Sequence, residues 1–79
     1  MAKQAFTLFF PQNLIKEAIM YLAARDHDLM LNIRRAKITA ESGEATIELE
    51  GDEANIKQAV SVMKKKGAIV EPVVGDVVQ

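Results

Sequence analysis

The sequence predicts a single α+β domain in which strand, helix, strand, strand, helix and strand follow one another. Three observations carry this prediction. Apolar residues recur at helical spacing in two places, Ile15 to Ala23 and Ile56 to Met63. They alternate, as strands require, in runs that start near Phe6, Leu29, Ala45 and Ala68. Breaker residues fall between those runs, at Pro11-Gln12-Asn13, Glu41-Ser42-Gly43-Glu44, Gly51-Asp52 and Gly67.

The first strand is read at Ala5 to Phe10, with Phe6, Leu8 and Phe10 on one face and Thr7 and Phe9 on the other. Asn13 is the expected N-cap of a helix whose inward stripe is Ile15, Ala18, Ile19, Leu22 and Ala23, and Asp26-His27-Asp28 ends it. Leu29 to Ala40 reads as a long second strand whose apolar parity moves from odd (Leu29, Leu31, Ile33) to even (Ala36, Ile38, Ala40). A period of two absorbs that shift only through an extra residue, so a bulge is expected near Arg34-Arg35. Glu41 to Glu44 is read as the hairpin turn, with Gly43 at positive φ. In the third strand Ala45, Ile47 and Leu49 face inward while Thr46, Glu48 and Glu50 face out.

Asp52 caps the second helix, whose stripe is Ile56, Ala59, Val60 and Met63, and Lys64 to Lys66 complement its C-terminal dipole before Gly67. Ala68 to Val74 is the last strand, and Pro72, which has no N–H to give a ladder, assigns it to an edge. This order is the ferredoxin-like βαββαβ sandwich, with two helices on one face of the sheet. Right-handed crossovers give an antiparallel sheet of order 4-1-3-2, so the second strand takes the opposite edge.

Composition narrows the function classes. A chain of 79 residues buries only about 60% of its unfolded surface and supports one core, so residues 1–79 are read as one domain. Ten Lys and Arg against 11 Asp and Glu leave a net charge of −1, which offers no field to gather nucleic acid. Zero cysteines and a single histidine, His27, exclude a structural zinc, an iron–sulfur cluster and a thiol nucleophile, so no cofactor is expected. No stretch approaches the roughly 20 apolar residues of a membrane span, and no signal-type segment follows Met1, so the expected location is cytoplasmic, without membrane insertion. A cysteine-free core this small is stabilised by self-association, and a homodimer is expected.

Few residues invite chemistry. His27 between Asp26 and Asp28 has no nucleophile beside it and reads as a solvated turn. Glu48, Glu50, Asp52 and Glu53 are acidic but lack EF-hand spacing, so they read as strand and helix-start carboxylates, not metal ligands. Arg34, Arg35 and Lys37 occur where the strand changes parity. They would meet a carboxylate or phosphate, or equally serve to protect a sheet edge. The open face of the third strand carries Thr46, Glu48 and Glu50 in place of stacking aromatics, against RNA recognition. No residue set supports an enzyme.

From Phe6 to Gly75 the chain resembles the NIL domain, a family named for an Asn-Ile-Leu motif at the second strand. The resemblance rests on Leu8-Phe9-Phe10-Pro11, Asn32-Ile33-Arg34-Arg35-Ala36-Lys37-Ile38, Ile47-Glu48-Leu49-Glu50-Gly51-Asp52-Glu53 and Lys66-Gly67-Ala68-Ile69-Val70-Glu71-Pro72. The third motif residue is Arg34 here instead of Leu. NIL domains occur at the C-terminus of the ATPase subunit of methionine ABC importers, where they pair and bind methionine to inhibit transport. The variant Asn32-Ile33-Arg34-Arg35-Ala36 looks closer to NIL domains fused to a 4Fe-4S ferredoxin module linked to sulfur amino acid metabolism.

The resemblance implies a small regulatory module that senses methionine or a related sulfur amino acid at a homodimer groove. It implies that Asn32 hydrogen-bonds the ligand's polar end, that Arg34 or Arg35 meets its carboxylate, and that Ile33, Ala36 and Ile38 contact its side chain. The alternative is an interaction module whose edge strand docks a ferredoxin, an enzyme of sulfur metabolism or an ABC-transporter-related protein without a small ligand.

Overall fold

The computed structural model describes residues 1–11, 13 and 18–73. Its elements are β1 (Ala2–Pro11), α1 (Ile19–Asp26), β2 (Met30–Ile38), β3 (Ser42–Gly51), α2 (Glu53–Lys65) and β4 (Ile69–Pro72). The sheet order is β2-β3-β1-β4, and all pairs are antiparallel. This is the ferredoxin-like α+β arrangement the apolar spacing predicts, with β2 and the Pro72-bearing β4 at the two edges.

Alternation decides which face is covered. Phe6, Leu8 and Phe10 on β1, Ala45, Ile47 and Leu49 on β3 and Val70 on β4 are buried, and they meet Ile19, Ala23 and Ala24 of α1 and Ile56, Ala59 and Met63 of α2. The residues between them on each strand lie on the open face. The bulge falls where the parity change requires it: Ile33 opposes Ile47 and Arg35 opposes Thr46, so Arg34 is the extra residue. That shift keeps Leu31 and Ile33, then Ala36 and Ile38, on the helix side of the sheet.

The helices turn into the following strands by the same device. After α2, Ala68 N–H donates to Met63 O (3.1 Å) and Gly67 N–H to Lys64 O (3.0 Å), the paired bonds of a Schellman motif, with Gly67 at φ 114°. After α1, Leu29 N–H donates to Ala24 O (2.9 Å) and Asp28 N–H to Arg25 O (3.3 Å), with Asp28 at φ 55°. An L-residue with a Cβ rarely adopts the Gly67 conformation. Gly67→Ala should therefore cost about 1 kcal/mol of stability, read as a lower urea midpoint at unchanged m-value; an unchanged midpoint would contradict the assignment.

Several local expectations are corrected. α1 begins at Ile19, with Ala18 exposed and in the left-handed region (φ 42°), so Ala18 does not join the inward stripe and Asn13 is not the residue that caps α1. Ile15 lies outside the described residues. Ala24, which the helical stripe omitted, is buried because the short α1 turns that side onto the sheet. β2 ends at Ile38, and the hairpin closes between Thr39 and Ser42, where Thr39 N–H donates to Ser42 O (2.9 Å). Gly43 is therefore already inside β3, without positive φ, and its lack of a side chain serves the ring of Phe10. β4 is confined to Ile69–Pro72; Val74 lies outside the described residues. His27 is half-buried, and its Nδ1–H donates to Ala23 O (2.8 Å), which makes it a cap of the α1 C-terminus instead of a solvated turn.

Candidate ligand-binding site

β2 is an edge strand, and of its residues only Leu31 is partly covered. Residues opposite one another in antiparallel strands share a face, so the register sorts the candidates. Asn32 opposes Glu48 and Arg35 opposes Thr46, which puts both on the open face. Ile33, Ala36 and Ile38 oppose Ile47, Ala45 and Gly43 on the helix side, yet Ile33 and Ile38 remain 48% and 55% exposed because the helices do not reach over them. Within one copy the six expected residues therefore divide between two faces. They share the free edge of β2, and only a ligand lying across that edge meets both sets.

On the open face the organising group is the Glu48 carboxylate, whose side chain is 20% exposed. Asn32 Nδ2 donates to Glu48 Oε1 (3.1 Å), Lys3 Nζ lies 3.8 Å from the same oxygen, and Arg34 Nε lies 3.8 Å from Oε2. The bulge explains how Arg34 takes part: the extra residue carries its guanidinium to the face that holds Glu48. Holding Asn32 by its amide leaves the side-chain oxygen of Asn32 available as an acceptor.

Beside this group is a shallow cavity of about 280 Å³, lined by Lys3, Met30, Leu31, Asn32, Glu48 and Glu50. It offers a cation, two carboxylates, an amide and the exposed apolar side chain of Met30, a set suited to a zwitterion with an apolar tail. A smaller cavity of about 150 Å³ lies past the bulge, against Arg35, Ala36, Lys37, Glu44, Ala45 and Thr46. Arg35 and Lys37 thus belong to a second hollow, separated from Asn32 by the Arg34–Glu48 pair.

The acidic residues do not converge on a metal. Among the described residues no group of three or more His, Asp or Glu side chains is placed to hold an ion. Glu48 is turned to its amide and cationic neighbours, and Asp52 caps α2 by accepting from Ala54 N–H (3.0 Å). Glu48, Lys3 and Met30 were not singled out as site residues by sequence reasoning. Counting back from the hairpin and allowing one bulge residue sets Asn32 opposite Glu48, which was the available signal.

The NIL domain family model matches residues 4–72. The chain belongs to the NIL domain family. This NIL domain is also similar in structure to the C-terminal domain of an ABC transporter ATP-binding protein from Enterococcus faecalis. The two share 21% identity and a TM-score of 0.79, over 92% of this chain and 86% of the other. A de novo designed protein, Foldit4, is 9% identical with a TM-score of 0.59, over 91% of this chain and 94% of the other. At such identities these likenesses concern the fold. No curated protein sequence matches the chain significantly. Among the described residues no helix is long and apolar enough to cross a membrane.

Proposed function

We propose that this NIL domain is a regulatory ligand-binding module that senses methionine or a related sulfur amino acid at a groove shared by two copies. The observation that supports it most is the open-face cavity beside Asn32, where groups of both charges adjoin the exposed side chain of Met30. A free amino acid carries both charges and, in methionine, an unbranched thioether. In this reading the α-ammonium is met by Glu48 and Glu50, the α-carboxylate by Lys3 and Arg34, and Asn32 bonds the polar end. The thioether packs on Met30, and the apolar residues at the β2 edge, Ile33, Ala36 and Ile38, meet the ligand where it crosses toward the second copy.

A domain of this fold stands at the C-terminus of an ABC transporter ATP-binding protein, a position from which ligand occupancy can bias a larger machine. The reading assigns the domain no catalytic step, and its partner is an ABC-transporter-related or ferredoxin-type protein of sulfur amino acid metabolism.

Calorimetry with methionine, homocysteine and cysteine tests the proposal. Saturable heat with at least one of them is expected, and Asn32→Ala should weaken binding by about tenfold, the loss of one hydrogen bond to a charged group. No heat at millimolar ligand, or equal binding by the variant, would overturn the assignment.

A further inference from the structure

The register draws one line across the open face of the sheet: Lys37 on β2, Glu44 on β3, Phe9 on β1 and Ile69 on β4. The next line is Arg35, Thr46, Thr7 and Glu71. Both helices cover the other face, so the apolar side chains of the first line are left to solvent, with Phe9 38% and Ile69 58% exposed. They wall a shallow cavity of about 390 Å³, with Pro11, Glu44 and Gly67 around it. Glu44 also lines the cationic hollow of Arg35 and Lys37, which lies on its other side.

The cations of the open face divide into two kinds. Lys3 and Arg34 are held by Glu48, whereas Arg35 and Lys37 make no ion pair among the described residues, even though Glu44 is the cross-strand neighbour of Lys37. An uncovered apolar hollow flanked by two unpaired cations complements a chain of opposite character, an apolar anchor with carboxylates beside it.

We propose that the open face docks a peptide segment of a partner protein, whose one large apolar side chain seats between Phe9 and Ile69 and whose acidic residues meet Arg35 and Lys37. Neighbouring strands are about 4.8 Å apart, so β1 and β2 are separated by about 10 Å. An extended chain advances about 3.5 Å per residue and covers that span in about three residues. Charge fixes the direction. Glu71 follows Ile69 along the open face of β4 and repels carboxylates there, so the acidic flank falls over β2. Glu44 lies under the crossing point and opposes binding, which makes the residues between anchor and acids neutral. The inference goes beyond the amino acid site and uses none of its open-face groups around Asn32.

Selection from a random linear peptide library on the immobilised domain, without amino acid present, tests the surface. Enriched sequences should combine a large apolar residue with Asp or Glu about three positions away. The affinity of a selected peptide, measured by fluorescence anisotropy, should fall about tenfold in Ile69→Ser and in the Arg35→Glu, Lys37→Glu double variant. Glu44→Gln should tighten it. All four residues are exposed, so circular dichroism of these variants should match that of the unaltered domain. No enrichment, enriched sequences without acidic residues, or affinity unchanged by Ile69→Ser and by the double charge variant overturns the proposal. Peptide binding lost in Asn32→Ala would assign the peptide to the other site, with the same result. A sedimentation change on Ile69→Ser would give the face to a second copy, and Ile69-dependent flotation with phosphatidylglycerol vesicles would give it to a membrane; either outcome also overturns the proposal. Failure of methionine to bind leaves peptide docking standing, and failure to dock leaves the calorimetric result untouched.

Discussion

Leu8→Ala is expected to lower the stability of the domain by about 3 kcal/mol. Leu8 is wholly buried and sits at the middle of β1, opposite Ala45 on β3 and Val70 on β4, with α2 above. Removing its isobutyl group loses apolar transfer energy and leaves a cavity that neighbours on two paired strands cannot close by moving together. A domain of this size has only about 4–12 kcal/mol in all, so the variant should lose a large part of its folded margin. Urea unfolding followed by circular dichroism measures it; a loss below about 1 kcal/mol would mean that the centre of the core lies elsewhere.

Gly43→Ala is the second large effect, and its cause is steric. A Cβ at Gly43 would lie 2.2 Å from Cε2, 2.7 Å from Cζ and 2.9 Å from Cδ2 of Phe10, its partner across β1 and β3. The Phe10 ring is 4% exposed and crosses the place a side chain would take, so it must leave its packed position or push the strands apart. A cost of about 1–3 kcal/mol is expected. Phe10→Leu in the Gly43→Ala background should recover part of it, since a shorter side chain no longer reaches the new methyl; a double variant whose losses simply add would remove the steric explanation.

The architecture was legible because its signals were redundant. The stripe of α2 was supported by Asp52 at one end and Gly67 at the other, and the parity change in β2 could be explained only by an extra residue, which is Arg34. What escaped was local and depended on distant contacts. Gly43 looked like a turn residue, because glycine in a hairpin usually supplies positive φ. Nothing in the adjacent sequence reveals the ring of Phe10, more than thirty residues away. Ala18 matched the helical period, yet α1 starts one residue later, since periodicity alone does not report where the backbone leaves the helical region. His27 between two aspartates resembled solvent-facing punctuation, while its bond to Ala23 O follows from helix geometry.

The site was legible only as far as β2. Asn32, Arg34 and Arg35 lie on or reach the open face, whereas Ile33, Ala36 and Ile38 lie on the other, a division set by strand parity and blurred by the bulge. Glu48 passed as an ordinary outward carboxylate on β3. Its contacts with Lys3, Asn32 and Arg34 draw on three segments that only the sheet brings together.

Titration of the isotopically labelled domain with L-methionine, followed by amide NMR, tests the ligand-sensing account most directly. Saturable shifts are expected at the Asn32 side-chain amide and at the backbone of Lys3, Met30, Glu48 and Glu50, extending along β2 through Ile33 and Arg34 to Ala36 and Ile38. A spectrum unmoved at millimolar methionine, or shifts that cluster away from β2 and β3, would contradict it.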